Sequence, residues 1–146
     1  MALLIAACGA GEPAKHQLLD PTEQAALADG SVAPPAAVLD RVMQIIVDQN
    51  VSPNEKVALV EDSDADRDVF EKISNQEPAT YRFVPPLALD ETNRSAHANV
   101  EVRRVNAPVY RAEVPLVYTE GSWKIGKAPF CLLLVPGSTQ MCPSGP

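Results

Sequence analysis

Three observations predict an α+β domain. Between Val38 and Asn75 apolar residues recur at the helical period, whereas after Pro78 they alternate at a period of two. The two patterns follow one another instead of interleaving, which is the order of helices packed on an antiparallel meander and not of βαβ units. Fourteen prolines in 146 residues, against a usual share of about 5%, interrupt strands and argue against a helical bundle. The length suits one core, and with aromatic residues at 5% of the chain aliphatic side chains must fill it.

Taken in order, residues 9–37 are rich in Ala, Gly and Pro and read as a tether. Within it Asp20-Pro21-Thr22-Glu23 has capping residue, helical-start proline and third-position glutamate in place, so a short helix is expected up to Asp29-Gly30. A core domain is expected over 38–136. Val38, Leu39, Val42, Ile45 and Ile46 share one face of its first helix. Ser52-Pro53-Asn54-Glu55 repeats the capping pattern and opens a second helix through Val57, Leu59 and Val60, and Val69, Phe70 and Ile73 mark a third, ending near Asn75.

Tyr81, Phe83, Leu87 and Leu89 then mark a first strand, broken or bulged at Pro85-Pro86, where proline supplies no ladder donor. Ala96, Ala98, Val100 and Val102 alternate with His97, Asn99, Glu101 and Arg103, the pattern of a half-buried strand. Tyr110, Ala112, Val114, Leu116 and Tyr118 make a third strand, Glu120-Gly121-Ser122 a turn, and Trp123 and Ile125 a fourth. Residues 137–146 are left as a tail. The expected architecture is thus three N-terminal helices against a four-stranded antiparallel sheet.

Charge divides along the same line: residues 1–77 carry 5 basic and 14 acidic side chains, and residues 78–146 carry 7 and 5. The net charge of −7 gives nothing to attract a phosphate backbone, so nucleic acid is not an expected partner.

Residues 1–8 end in Ile5-Ala6-Ala7-Cys8, ahead of Gly9. The tetrad resembles the lipobox of bacterial lipoproteins, in which the cysteine is acylated; it departs from that pattern in having no Lys or Arg before a short apolar run. The resemblance implies a signal-peptide remnant over 1–8, lipidation at Cys8 and a membrane association through that lipid. The plain alternative is an apolar N-terminus with an inert thiol. Cys131 and Cys142 lie near the other terminus with Pro136-Gly137-Ser138 between them, a turn that can bring them within disulfide reach. Pairing them leaves Cys8 as the odd cysteine; the alternative is one buried and one free thiol.

Asp62, Asp64 and Asp66 imitate the start of a calcium loop, but Arg67 stands where glycine is needed and Ile73 where a bidentate glutamate is needed. No metal and no cofactor are expected. His97 falls on the polar face of its strand and His16 in the tether, so spacing suggests no His–carboxylate pair. Arg103, Arg104 and Arg111 are candidates for a basic patch, with Glu101 and Glu113 as cross-strand partners.

The run Asn50-Val51-Ser52-Pro53-Asn54-Glu55-Lys56-Val57-Ala58-Leu59-Val60-Glu61, after an amphipathic helix and a Pro/Ala tether and before a meander holding Gly121-Ser122-Trp123, resembles the low-molecular-weight secreted antigen family of mycobacteria and related actinobacteria. The likeness spans about residues 36–130. It implies a cystatin-like or nuclear-transport-factor-2-like cone, in which the sheet curves around the helices, in an exported cell-envelope protein. Tyr81, Tyr110, Tyr118 and Trp123 are the candidate lining of such a cone. With no catalytic motif in the sequence, the expected function is non-enzymatic binding of a small apolar ligand or another envelope protein. An isomerase or lyase using the cone interior is the second reading and would need a carboxylate facing a tyrosine. A structural, antigenic domain with a filled core is the third.

Overall fold

The computed structural model describes residues 18–61, 63, 70, 79–90 and 94–126. Its sheet has four antiparallel strands in the order β1 (Ala79–Leu89), β2 (Ser95–Arg104), β3 (Tyr110–Thr119) and β4 (Ser122–Ile125), curled into a half-barrel. Alternation decides which face is inside. Ala96, Ala98, Val100 and Val102 of β2 are buried, as are Val114 and Leu116 of β3 and Trp123 and Ile125 of β4, while His97, Asn99 and Arg103 face solvent.

The diproline in β1 is a bulge with consequences for register. Val84 pairs with Asn99 and Ala88 with His97, so Pro85, Pro86 and Leu87 together face the single residue Ala98. An even number of extra residues restores parity, and Leu89 returns opposite Ala96 on the inner side. The peptide bond between the two prolines is cis.

Three helices precede the sheet among the described residues: α1 (Pro21–Ala28), α2 (Ala36–Val47) and α3 (Pro53–Lys56). In α1 the expected capping box is formed, with Glu23 N–H donating to Asp20 Oδ1 at 2.8 Å and Asp20 N–H to Glu23 Oε1 at 2.9 Å. Residues 18–37, within the stretch read as a tether, bury Leu19, Leu27 and Pro34, and α1 packs against β4. Val38, Leu39, Val42, Met43, Ile45 and Ile46 of α2 are buried. The second core helix is shorter than its sequence suggests. It tightens into a 3-10 turn over Val57–Leu59, because Val60 turns extended to bridge Ile125 in the parallel sense.

Both sheet edges are covered, as edges left bare invite pairing with other chains. On β1, Asp40 Oδ1 accepts the Phe83 N–H at 2.6 Å. On β4, Glu61 N–H donates to the Ile125 carbonyl at 2.9 Å. The third expected helix, the Asp62/Asp64/Asp66 set, Cys8, Cys131, Cys142 and His16 lie outside the described residues, save that Ser63 and Phe70 are buried.

Candidate functional site

At the end of the sheet where β3 turns into β4, two aromatic side chains do a helix-capping task. Helix α1 ends at Asp29 in extended backbone without a glycine cap, leaving carbonyls that need donors. The Tyr118 hydroxyl donates to the Ala28 carbonyl at 2.6 Å. The Trp123 indole N–H is shared between the carbonyls of Asp29 at 3.0 Å and Val32 at 3.1 Å. The rings meet edge to face with centroids 5.4 Å apart, a favoured aromatic geometry. Gly30 lies on the Tyr118 ring so closely that a Cβ would come within 2.9 Å of Cζ. The Asp29 carboxyl is held below its ordinary range by the Ser31 hydroxyl and N–H.

This docking leaves a groove of about 1120 Å³ between α1, the segment 54–61 and the β3–β4 hairpin. Leu19, Leu27, Val57 and Val117 supply apolar lining, and Gln24, Ser122 and Lys124 supply polar groups. Gln24 Nε2 donates to the Leu19 carbonyl at 2.8 Å and steadies the entry to α1. Lys124 Nζ lies 2.6 Å from Glu120 Oε1, and that hydrogen bond holds the Glu120 carboxyl below the usual range. A groove with apolar lining and a few polar groups is the form of a small-molecule site.

The four candidate lining residues are not brought together. Tyr118 and Trp123 stand at the grooved end with their polar atoms engaged as above. Tyr81 is buried toward the other end, where Arg104 Nη2 donates to its hydroxyl at 3.4 Å and burial pushes that hydroxyl's pKa up. Tyr110, opposite Val102, is 38% exposed. The Tyr81 hydroxyl thus meets a guanidinium where an isomerase would place a carboxylate.

Two further expectations need correction. His97 does have a carboxylate neighbour: its Nδ1 is 3.4 Å from Asp90 Oδ1, and the Ser95 hydroxyl bonds to the other oxygen of Asp90. The β1–β2 hairpin makes this contact, which linear spacing did not reveal. Asp90 thus engages His97 through one carboxylate oxygen and Ser95 through the other. Arg104 faces inward to Tyr81, not outward with Arg103 and Arg111. Those two share Glu101, at 3.2 and 3.7 Å, and Arg82, opposite Glu101 on β1, takes the third place.

Lys56 is the residue that sequence reasoning passed over. It sits in α3 with 1% of its surface exposed, and burial lowers its pKa, opposed by the charge of Asp48. Among the described residues no group of three or more His, Cys, Asp or Glu is arranged to hold a metal ion. No helix there is long and apolar enough to cross a membrane.

A family model described as low molecular weight antigen MTB12, C-terminal domain, matches residues 32–141. No curated protein matches the chain.

Proposed function

The chain belongs to the low molecular weight antigen MTB12 family, whose C-terminal domain it carries over residues 32–141, and from that premise we propose that it is an extracytoplasmic domain that binds a small apolar ligand in the groove beside α1. The observation that carries the reading is the groove itself, about 1120 Å³ with Leu19, Leu27, Val57 and Val117 in its walls. That volume lies just above the usual range of small-molecule sites, about 300–1,000 Å³, so it has room for a small apolar ligand. Lys124 and Glu120 neutralise each other at its rim, which supports holding a ligand over transforming it. An acyl chain on Cys8 keeps the domain at the membrane in this reading, and a Cys131–Cys142 bond, permissible outside the reducing cytosol, staples the C-terminal segment.

Native mass spectrometry of the chain purified without detergent from an actinobacterial host tests the ligand. A retained small-molecule mass is expected, and it should vanish in Val117→Trp, which fills the groove from a half-buried wall position. A bare polypeptide mass under gentle ionisation overturns the binding role. Intact mass of the membrane fraction checks the anchor separately, through acyl mass on Cys8 that Cys8→Ser abolishes.

A further inference from the structure

The end of the sheet remote from the groove carries a second surface. The β2–β3 connection extends past Val102–Tyr110, the last residue pair of the two strands. Asn106 turns it in the left-handed region, φ 64°, which asparagine tolerates. Of the four large apolar side chains most exposed among the described residues, three are here: Val105 at 65%, Val109 at 44% and Tyr110 at 38%. The charges beside them have one predominant sign. Arg103 and Arg111 have side chains more than 60% exposed, and Arg82 is exposed on the neighbouring strand. Among the described residues of that outer face one carboxylate, Glu101, is shared between the first two, and the next, Glu113, is two positions farther from the tip along β3.

We propose that the β2–β3 hairpin tip docks on an anionic lipid surface, with Val105 and Val109 entering the interface and Arg82, Arg103 and Arg111 meeting headgroup phosphates. The spacing fits this partner. Arg103 and Arg111 each stand two residues behind a valine, so at about 3.3 Å per strand residue the guanidinium-bearing positions lie roughly 7 Å behind the apolar tip. Interfacial segments bury their apolar side about 5–10 Å deep, with basic groups left at headgroup level. A convex tip with two branched aliphatic side chains offers little area to a flat protein surface, whereas a fluid interface closes around it. Among the described residues Asp20 and Asp29 are exposed beside α1, at the opposite β3–β4 end of the sheet, where the same surface would repel them. The inference does not depend on the groove or on acylation.

The test is co-sedimentation of the full chain carrying Cys8→Ser, so that no acyl group contributes, with vesicles of phosphatidylcholine alone or mixed with phosphatidylglycerol. Binding to the mixed vesicles only is expected. It should weaken at least tenfold in Arg103→Ser/Arg111→Ser and in Val105→Asp, and be lost near 1 M salt, where the screening length falls to about 3 Å. Val32→Asp, at the exposed apolar residue outside the tip, should bind as the parent does. These tip side chains are exposed, so the variants should retain the parent's thermal transition. Equal sedimentation with both vesicle types, none with either, or unaltered binding by the tip variants overturns the proposal. Capture by an acidic protein without vesicle binding overturns it too.

Discussion

The two ends of the sheet are built from the same strands and differ in what was laid over them. Tyr110 and Tyr118 occupy the same face of β3, eight positions apart. Tyr118 is bonded to the end of α1, whereas Tyr110 is 38% exposed. At the β3–β4 end, Tyr118 and Trp123 satisfy three carbonyls of the incoming chain and bring Leu19 and Leu27 into the core. At the β2–β3 end Val105 and Val109 stand in solvent among arginines. Strand alternation therefore determines which face a residue takes, and the docked segment determines whether that face is dry.

The contrast is most directly broken at Trp123, the largest of the fully buried side chains. Trp123→Ala should cost about 3–5 kcal/mol, the range for removing a buried aromatic ring, read as a lower denaturant midpoint. Trp123→Phe keeps most of the ring and removes the shared donor; it should cost less, about 1–3 kcal/mol for buried carbonyls left without it. A loss below about 1 kcal/mol for the alanine variant would mean that α1 does not depend on this indole.

Asp40→Ala tests the covered edge. It removes the acceptor of the Phe83 N–H, and about 1.5–3 kcal/mol is expected for a hydrogen bond to a charged group, with faster amide exchange at Phe83. Exchange unaltered at that amide would place its protection elsewhere. Gly30→Ala should cost somewhat less, about 1–3 kcal/mol as overpacking, because the new Cβ meets the Tyr118 ring. Its signature is a shift of the Tyr118 ring resonances with β1 unperturbed.

Most of the fold was legible because each strand carries an unbroken parity, α1 and α3 each a capping box, and α2 an amphipathic period. Even the diproline left the pattern readable, since the bulge preserves parity between Phe83 and Leu89. The groove was not legible, for a physical reason: it exists only because α1 docks, and α1 is held by carbonyl acceptors that every residue possesses. The local sign was Asp20 with Glu23 and the lone Leu27 in an Ala-rich stretch. Tyr118 and Trp123 were identified as inward-facing, but alternation does not say that their polar atoms are bonded to the backbone. The pairing of Arg82 with the Arg103/Arg111 surface, and of His97 with Asp90, came from hairpin register, which linear spacing does not supply.

Lys56 adds a pH-dependent test on the covered side. Burial disfavours its charged form, so its folded pKa lies below the ordinary 10.5. Below the folded value both states hold the proton and the penalty on the fold is fully present. Between the folded value and 10.5 the unfolded chain binds the proton more strongly, so folding stability rises with pH. Lys56→Met should therefore be the more stable protein at neutral pH, and its advantage should shrink as pH climbs toward 10.5. Urea midpoints of both proteins across that range check it; an advantage constant with pH would remove desolvation of the amine as the cause.

The smallest effect is expected at the bare end, where it is also the most discriminating. Val105→Ser and Val109→Ser alter side chains that are 65% and 44% exposed, so little apolar area returns to water on unfolding. Each should change stability by less than about 0.5 kcal/mol, the usual range for surface positions. In a thermal melt both should overlay the parent, in contrast to the loss expected for Trp123→Ala at the other end of the same sheet. A destabilisation comparable to that of Gly30→Ala would show that the valines pack within the chain in solution. The tip would then be a second roofed end, and its apolar side chains would no longer be available to an outside surface.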